Sequence, residues 1–209
     1  MVAARHEASA LMALVTLAVL LSGIGPTDRP TWVLEALPVL IALPWLALTR
    51  RRFPLTPLLY RLLSLHALIL LVGAHYTYAE VPLGTWLQEA LDLSRNHYDR
   101  LGHFAQGLVP ALLVRELLLR RSPLQRGPLL FTLVTSACLA FSAFYELLEW
   151  WTAVFTDDGA VAFLGTQGDP WDTQWDMFLA LLGALSGQLL FAGTQDRQLR
   201  TLQAAAPGG

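Results

Sequence analysis

Six mostly apolar stretches, each long enough to cross a bilayer as a helix, constrain this sequence more than any other feature. A bilayer core about 30 Å thick requires roughly twenty such residues, because backbone polar groups must be satisfied within the segment. The stretches cover residues 8–24, 31–49, 58–79, 98–119, 129–151 and 171–192. Only 14% of the residues are charged, against roughly a quarter in an ordinary soluble domain. We therefore predict an all-α, polytopic transmembrane bundle with about six spans.

The ends and connections of this bundle can also be predicted. A single domain is expected over residues 1–196, followed by a polar tail over 197–209, with disorder beyond Gly193. A cleaved signal peptide is the alternative to the first span, but its length and the later spans favour a retained helix. Pro38 and Pro44 should kink the second span, which should therefore be packed within the bundle. Residues 85–93 should form a short interfacial helix anchored by Trp86.

The distribution of charge predicts the orientation. All fourteen basic residues are arginine, and eleven lie in or beside the N-terminus, the even-numbered loops and the tail. The positive-inside rule therefore places both termini in the cytoplasm. Thirteen of the sixteen acidic residues lie on the other, outer side or in the outer turns of the spans. The net charge of −2 gives no general attraction to nucleic acid.

Ionisable side chains from three spans are predicted to meet near the outer surface. They are Asp99 and His103 in span four, Glu146 and Glu149 in span five, and Asp172 and Asp176 in span six. His103, Glu146 and Asp176 lie roughly 7 Å below the outer helix ends, at 1.5 Å per residue. Each pair shares a helical face because its members are three or four residues apart. Since charges exposed to lipid are costly, these faces should line a bundle interior or an aqueous cavity.

Two further spans contribute candidates to the same layer. Glu35 on span two and His75 on span three lie at comparable depths and are expected in the cavity wall. His66 lies on the helical face opposite His75 and is expected to be a packed or hydrogen-bonded histidine. The single cysteine, Cys138, is expected to be a small packing residue.

Structural roles compete with function at several acidic positions. Asp169 before Pro170 fits a helix cap, and Asp172 in the following first turn is favoured by the helix dipole. Asn96 could cap span four, which leaves Asp99 equally suited to support the cap or to act in a site.

Loop and packing roles account for two other features. Asp157 and Asp158 are expected to be solvated loop charges. The small residues of the segment from Gly183 to Gly187 fit a face for tight helix packing, which requires no chemistry.

Several segments resemble the YjdF family of uncharacterised inner-membrane proteins. The resemblance covers nearly the whole chain from Thr31 to Asp196 and rests on RRFPLTPLLY, GAHYTYAEVPLG, NHYDRLGHFAQG, YELLEWW and GTQGDPWDTQWDM. It implies a multi-pass protein of the bacterial inner membrane and supplies no reaction.

A shorter pattern is similar to the VanZ-like membrane proteins. It comprises an Asp-xxx-His helix, a Glu-containing helix and an Asp-rich helix followed by glycine, here Asp99, His103, Glu146, Asp172, Asp176 and Gly183. VanZ-like proteins are associated with reduced susceptibility to a glycopeptide antibiotic. This similarity implies action at the outer membrane face on envelope lipids or cell-wall precursors.

Two classes of function follow from these residues. In the first, an enzyme holds a divalent metal such as Mg²⁺, Mn²⁺ or Zn²⁺ through Glu146, Asp172 and Asp176. His103, Glu149 and Asp99 would be its catalytic residues, with Glu149 or His103 as the general base, and the enzyme would hydrolyse or transfer a lipid-linked group. In the second class, the same acids receive a cation, a proton or a small basic ligand for binding or transport. A purely structural hydrogen-bond network is the remaining alternative.

Overall fold

The computed structural model describes residues 2–155, 164 and 166–204 as a bundle of helices, and the described ranges contain no strand. The helices are α1 (Val2–Ser22), α2 (Arg29–Thr49), α3 (Pro57–Tyr76), α4 (Pro82–Ala90), α5 (Tyr98–Arg121), α6 (Pro128–Phe155) and α7 (Asp172–Ala204). A 3₁₀ turn, Tyr78–Glu80, precedes α4. The all-helical prediction is confirmed. Asp157, Asp158 and the last five residues lie outside the described part of the chain.

Six of these helices run alternately up and down. We call the end where α2, α5 and α7 begin the upper end, and the end where α3 and α6 begin the lower end. The amide of Thr27 donates to the carbonyl of His75 at the upper end (2.9 Å), and Arg50 donates to Ser9 at the lower end (2.6 Å). By length and apolar composition, α2, α3, α6 and α7 can cross a membrane, and α1 contains a shorter apolar segment, His6–Ser22. The total of six spans stays a prediction.

Helix α5 is the centre of the bundle although it is less apolar than its neighbours. It packs against α3, α6 and most extensively α7, and its buried positions include Ala111 and Leu112. Its polar residues are tolerated because they face other helices and are kept away from lipid. The most polar of the long helices therefore carries the largest share of the interhelical packing.

Helix α2 lies at the edge of the bundle, so the prediction that its prolines would place it inside is wrong. One face, including Ala36 and Val39, packs against α1 and α3, whereas Leu37, Ile41 and Leu48 are exposed. The helix remains continuous from Arg29 to Thr49 despite two internal prolines.

The C-terminal region is ordered further than expected. Helix α7 continues to Ala204, so the prediction of disorder beyond Gly193 is wrong for the described residues of the tail. Gln195 and Leu199 are buried, and the amide of Leu58 on α3 donates a hydrogen bond to Gln198 Oε1 (2.9 Å). Tertiary contacts thus extend the helix beyond the apolar run.

The short helix α4 confirms the predicted helix after span three, with its start at Pro82 rather than at residue 85. Proline suits the first turn of a helix because its missing N–H would have no partner there. Trp86 is 62% exposed, and its role as an interfacial anchor stays a prediction.

Candidate functional site

Asn96 sets the position at which the site-bearing helix α5 begins. Its side-chain oxygen accepts from the amide of Tyr98 (3.0 Å), and its side-chain nitrogen donates to the carbonyl of Val81 just before α4 (3.0 Å). The N-cap residue of α5 is His97, whose side chain makes no capping hydrogen bond, so Asn96 acts one residue before the end of the helix at which it was predicted to cap. Asp99 Oδ1 lies near His103, one turn below.

Three glycines allow α5 and α7 to approach closely. A Cβ atom at Gly183 or Gly187 would overlap backbone atoms of Phe104 or Leu108, and one at Gly107 would overlap the carbonyl of Ala180. The predicted small-residue packing face is confirmed. The contact brings His103 on α5 beside Asp176 on α7.

His103 is the centre of the acidic cluster. Its Nε2 lies 3.4 Å from Asp99 Oδ1 and 3.9 Å from Asp176 Oδ2, while its Nδ1 lies 3.9 Å from Glu146 Oε1. These side chains come from α5, α6 and α7. Both ring nitrogens therefore face carboxylates, and the predicted convergence of three helices on His103 is present.

Several polar atoms of this cluster are buried without a hydrogen-bond partner among the described residues. They are His103 Nδ1, Glu146 Oε1, Asp176 Oδ1, Glu35 Oε2 and the hydroxyl of Ser142. His103, Glu146 and Asp176 are each no more than 7% exposed. A buried polar group without a partner costs about 1–3 kcal/mol, and more when it is charged. The hydrogen bonds within the described residues therefore do not satisfy all the buried polar atoms of the cluster.

Two sets of donor atoms have spacings suited to a metal ion. The atoms of Asp99, His103 and Asp176 lie within 4.8 Å of one another, and so do those of His103, Glu146 and Glu149. The predicted metal ligands Glu146, Asp172 and Asp176 therefore do not form one set. Asp176 and Glu146 fall in different sets, each with His103, and Asp172 is in neither.

A cavity of about 50 Å³ lies beside the cluster. Its polar lining consists of Glu35, His66, Tyr78, Asp99, His103, Gln106, Tyr145 and Glu149. A single water needs roughly 10–15 Å³ by this kind of measure, so the cavity can hold an ion with a few waters or a small polar group. Glu35 lies in the cavity wall as predicted.

The two histidines of α3 exchange their expected roles. His75 Nδ1 lies 2.8 Å from the carbonyl oxygen of Ser22, and His75 is absent from the cavity wall. His66 lines the cavity instead, and its Nε2 is buried without a partner in the described part of the chain. His75 lies in the last turn of α3, and its ring contacts the end of α1.

Asp172 belongs to an ion-pair group at the rim of the bundle. It pairs with Arg95, and Asp169 pairs with Arg100 (3.0 Å) and Arg95 (3.4 Å). Asp169 Oδ1 also accepts from the amide of Trp171 (2.9 Å), which confirms its structural role at the start of α7. Burial, with added repulsion from Arg100 and Arg95, lowers the pKa of His97 beside them. These contacts tie the loop before α5 to the start of α7.

A buried polar network at the lower end was missed by sequence reasoning. Glu116 is fully buried and accepts from the Thr56 hydroxyl (2.8 Å), Arg120 (2.8 Å) and the Gln195 side chain (3.3 Å). Arg115 donates to Gln195 (3.0 Å). The adjacent charges of Arg115 and Glu116 inside an apolar span were the available signal. Both Glu116 oxygens are satisfied, so this network needs no ligand.

Comparison with known proteins places the chain in a family. Its residues 8–197 match the family described as "Predicted membrane protein (DUF2238)". The chain belongs to the DUF2238 family. It is also 54% identical to the inner membrane protein YjdF of Escherichia coli strain K12 over 186 residues, which cover 89% of each chain. No solved structure matches.

Membership of the DUF2238 family confirms the resemblance to YjdF-type proteins and identifies a multi-pass protein of the inner membrane. The similarity to VanZ-like proteins stays a prediction, since neither match concerns them. The DUF2238 match spans α1 to most of α7 and therefore includes every residue of the candidate site.

Proposed function

We propose that this protein is a membrane-embedded, divalent-metal-dependent enzyme that hydrolyses or transfers a group on a lipid-linked envelope substrate. The observation that carries the proposal is the incomplete cluster around His103. Its buried Nδ1, Glu146 Oε1 and Asp176 Oδ1 lack partners among the described residues. A cation can satisfy several of these acceptors together, whereas an added hydrogen-bond donor satisfies only one or two.

The balance of charge supports a cation. Asp99, Glu146, Glu149 and Asp176 surround one imidazole, while Arg95 and Arg100 pair with the rim aspartates. Carboxylates crowded in a low-dielectric interior repel one another strongly. A bound divalent ion would offset this repulsion, and one imidazole with several carboxylates suits Mg²⁺, Mn²⁺ or Zn²⁺.

The donor positions support separate roles for the residues. We assign Asp99, His103 and Asp176 as metal ligands. Glu146 Oε1 lies 3.9 Å from His103 Nδ1, and it would accept the Nδ1–H and fix the tautomer if ion binding drew the two groups to hydrogen-bond distance. A divalent ion supplies a Lewis acid and an activated water. Glu149 faces the cavity beside this group and would accept a proton from that water as general base.

The location of the cavity favours an enzyme over a transporter. The cavity lies in the upper half of the bundle, while the closed Glu116 network occupies the lower half of α5. Transport sites usually lie near the bilayer midplane between two related halves. The arginine-rich lower end, which includes residues 50–52, supports an orientation with the upper end outside the cytoplasm and both termini inside, by the positive-inside rule. The substrate would thus lie in the outer leaflet.

Metal content is the first test. We expect purified chain loaded with Mn²⁺ or Zn²⁺ to hold one ion, and His103→Ala and Asp176→Ala to lose it, measured by elemental mass spectrometry after desalting. Asp172→Asn is the matched control and should retain the ion, because Asp172 pairs with Arg95. Full loss in Asp172→Asn would contradict this assignment of ligands, and metal-free unmodified protein would overturn the metal proposal.

Turnover is tested with the metal-loaded chain and an extract of envelope lipids. We expect a metal-dependent change in one lipid class by mass spectrometry, with Glu149→Gln retaining metal but losing this change by about 10²-fold or more, the usual contribution of a general base. If Glu149→Gln keeps full turnover, Glu149 is not the base. If the metal-loaded chain changes no lipid, the enzyme proposal is rejected.

A further inference from the structure

A second, largely apolar cavity of about 540 Å³ lies below the polar one, between α2 and α6. It is lined by residues such as Ile41 on α2, Leu113 on α5, and Ala137 and Phe144 on α6, together with residues of α3. Helices α2 and α6 make few contacts with each other, which leaves the cavity open on the side between them. We call this cavity the apolar groove.

The apolar groove adjoins the polar cavity. Pro38, His66, Leu70, Phe141 and Tyr145 line both. Near this junction the Tyr145 hydroxyl donates to the carbonyl of Leu34 (3.1 Å), which bridges α6 and α2 above the groove. Together the two cavities form one site that is polar at the top and apolar below.

The depths of the two parts match the two parts of a lipid. At 1.5 Å per residue, the polar groups from His103 to His66 lie roughly 7 to 15 Å below the upper helix ends, and the groove wall from Leu148 to Ala137 roughly 10 to 27 Å below. An amphiphile in the upper leaflet would likewise place its polar part nearer the upper end and its hydrocarbon chain deeper.

His66 supplies an independent sign of a ligand at the junction. It is 9% exposed, and its Nε2 has no hydrogen-bond partner among the described residues. Glu35 Oε2, also buried and without a partner there, lies in the wall of the polar cavity. The occupant should therefore carry a hydrogen-bonding group where its hydrocarbon part ends.

We propose that the apolar groove holds one acyl chain of a membrane lipid, which enters between α2 and α6 and places its polar linkage beside His66. The lipid headgroup then reaches the cluster around His103. The chemistry of the headgroup rests on the proposed function, but binding of the chain depends only on the groove. In this arrangement the substrate is a membrane lipid that enters the site sideways from the bilayer.

Photocrosslinking in nanodiscs tests the groove. The full chain is reconstituted in phosphatidylethanolamine and phosphatidylglycerol with a phosphatidylethanolamine probe carrying a diazirine midway along one acyl chain. We expect adducts to concentrate on groove residues such as Leu113 and Phe141. Ala137→Trp, which fills the groove, should lower these adducts about tenfold, the change expected when roughly two methylenes lose their burial. Ala140→Trp, an exposed position on the same helix outside the groove, should leave them unchanged.

The possible outcomes separate the two proposals. Adducts spread evenly over lipid-facing residues, or unaffected by Ala137→Trp, overturn the groove proposal. Crosslinks between two copies of the chain at α2 and α6 also overturn it, because a second copy would then fill the gap. Metal content measured on the same Ala137→Trp protein should be normal. Groove adducts on a chain that binds no metal would support the lipid site and reject the metal centre.

Discussion

Gly183→Ala should destabilise the bundle by about 3 kcal/mol, while Gly193→Ala in the same helix should cost nothing. A Cβ atom at Gly183 would overlap the carbonyl oxygen of Phe104, and this backbone cannot move without displacing α5. At Gly193 the nearest atom to a new Cβ is Arg197 Nη1, at 3.9 Å. The substitution is chemically identical at both sites, so the difference between them measures the α5–α7 approach alone.

Reversible unfolding in mixed micelles provides the measurement. Tryptophan fluorescence during titration with sodium dodecyl sulfate gives the unfolding midpoint of each variant. We expect the Gly183→Ala midpoint to fall clearly below that of the unmodified chain and the Gly193→Ala midpoint to stay or rise, since alanine is the better helix former. Equal midpoints would contradict the close contact through which His103 and Asp176 reach one site.

The helices were predictable because bilayer thickness requires long apolar runs, and their order along the chain follows directly. The convergence of His103, Glu146 and Asp176 was predictable for a related reason, since rise per residue converts position into depth. The depth of a residue along its helix does not give the direction in which its side chain points. His75 was expected in the cavity wall but contacts the carbonyl of Ser22, and Asp172 contacts Arg95 across the rim.

Contacts between helices distant in sequence were the part that could not be predicted. Glu116 meets Thr56 and Gln195 only because α3 and α7 both pack on α5, and no spacing within one helix encodes this arrangement. The extension of α7 to Ala204 has the same origin. Side chains on neighbouring helices decide whether a buried polar residue has hydrogen-bond partners. Glu116 in the lower network has them, whereas several atoms of the upper cluster do not among the described residues.

Glu116→Leu should destabilise the chain by about 3 kcal/mol or more, because it removes one partner from a buried, fully hydrogen-bonded ion pair. The Arg120 charge and the Gln195 amide would each lose an acceptor, and so would the Thr56 hydroxyl. Glu116→Gln keeps an acceptor oxygen and should lose less. The same titration measures both variants, and equal midpoints for Glu116→Leu and the unmodified chain would contradict the network.

Asp176→Ala should behave in the opposite way when metal is removed by a chelator. Asp176 Oδ1 has no partner among the described residues, and its carboxylate faces Asp99 and Glu146 around His103. Removing one of several crowded carboxylates relieves repulsion, so the stability should stay level or increase, as at sites kept for function at the expense of stability. A loss as large as that of Glu116→Leu would make the upper cluster a structural network like the lower one. The reason for placing a metal there would then be gone, because an ion would no longer be needed to satisfy its buried atoms.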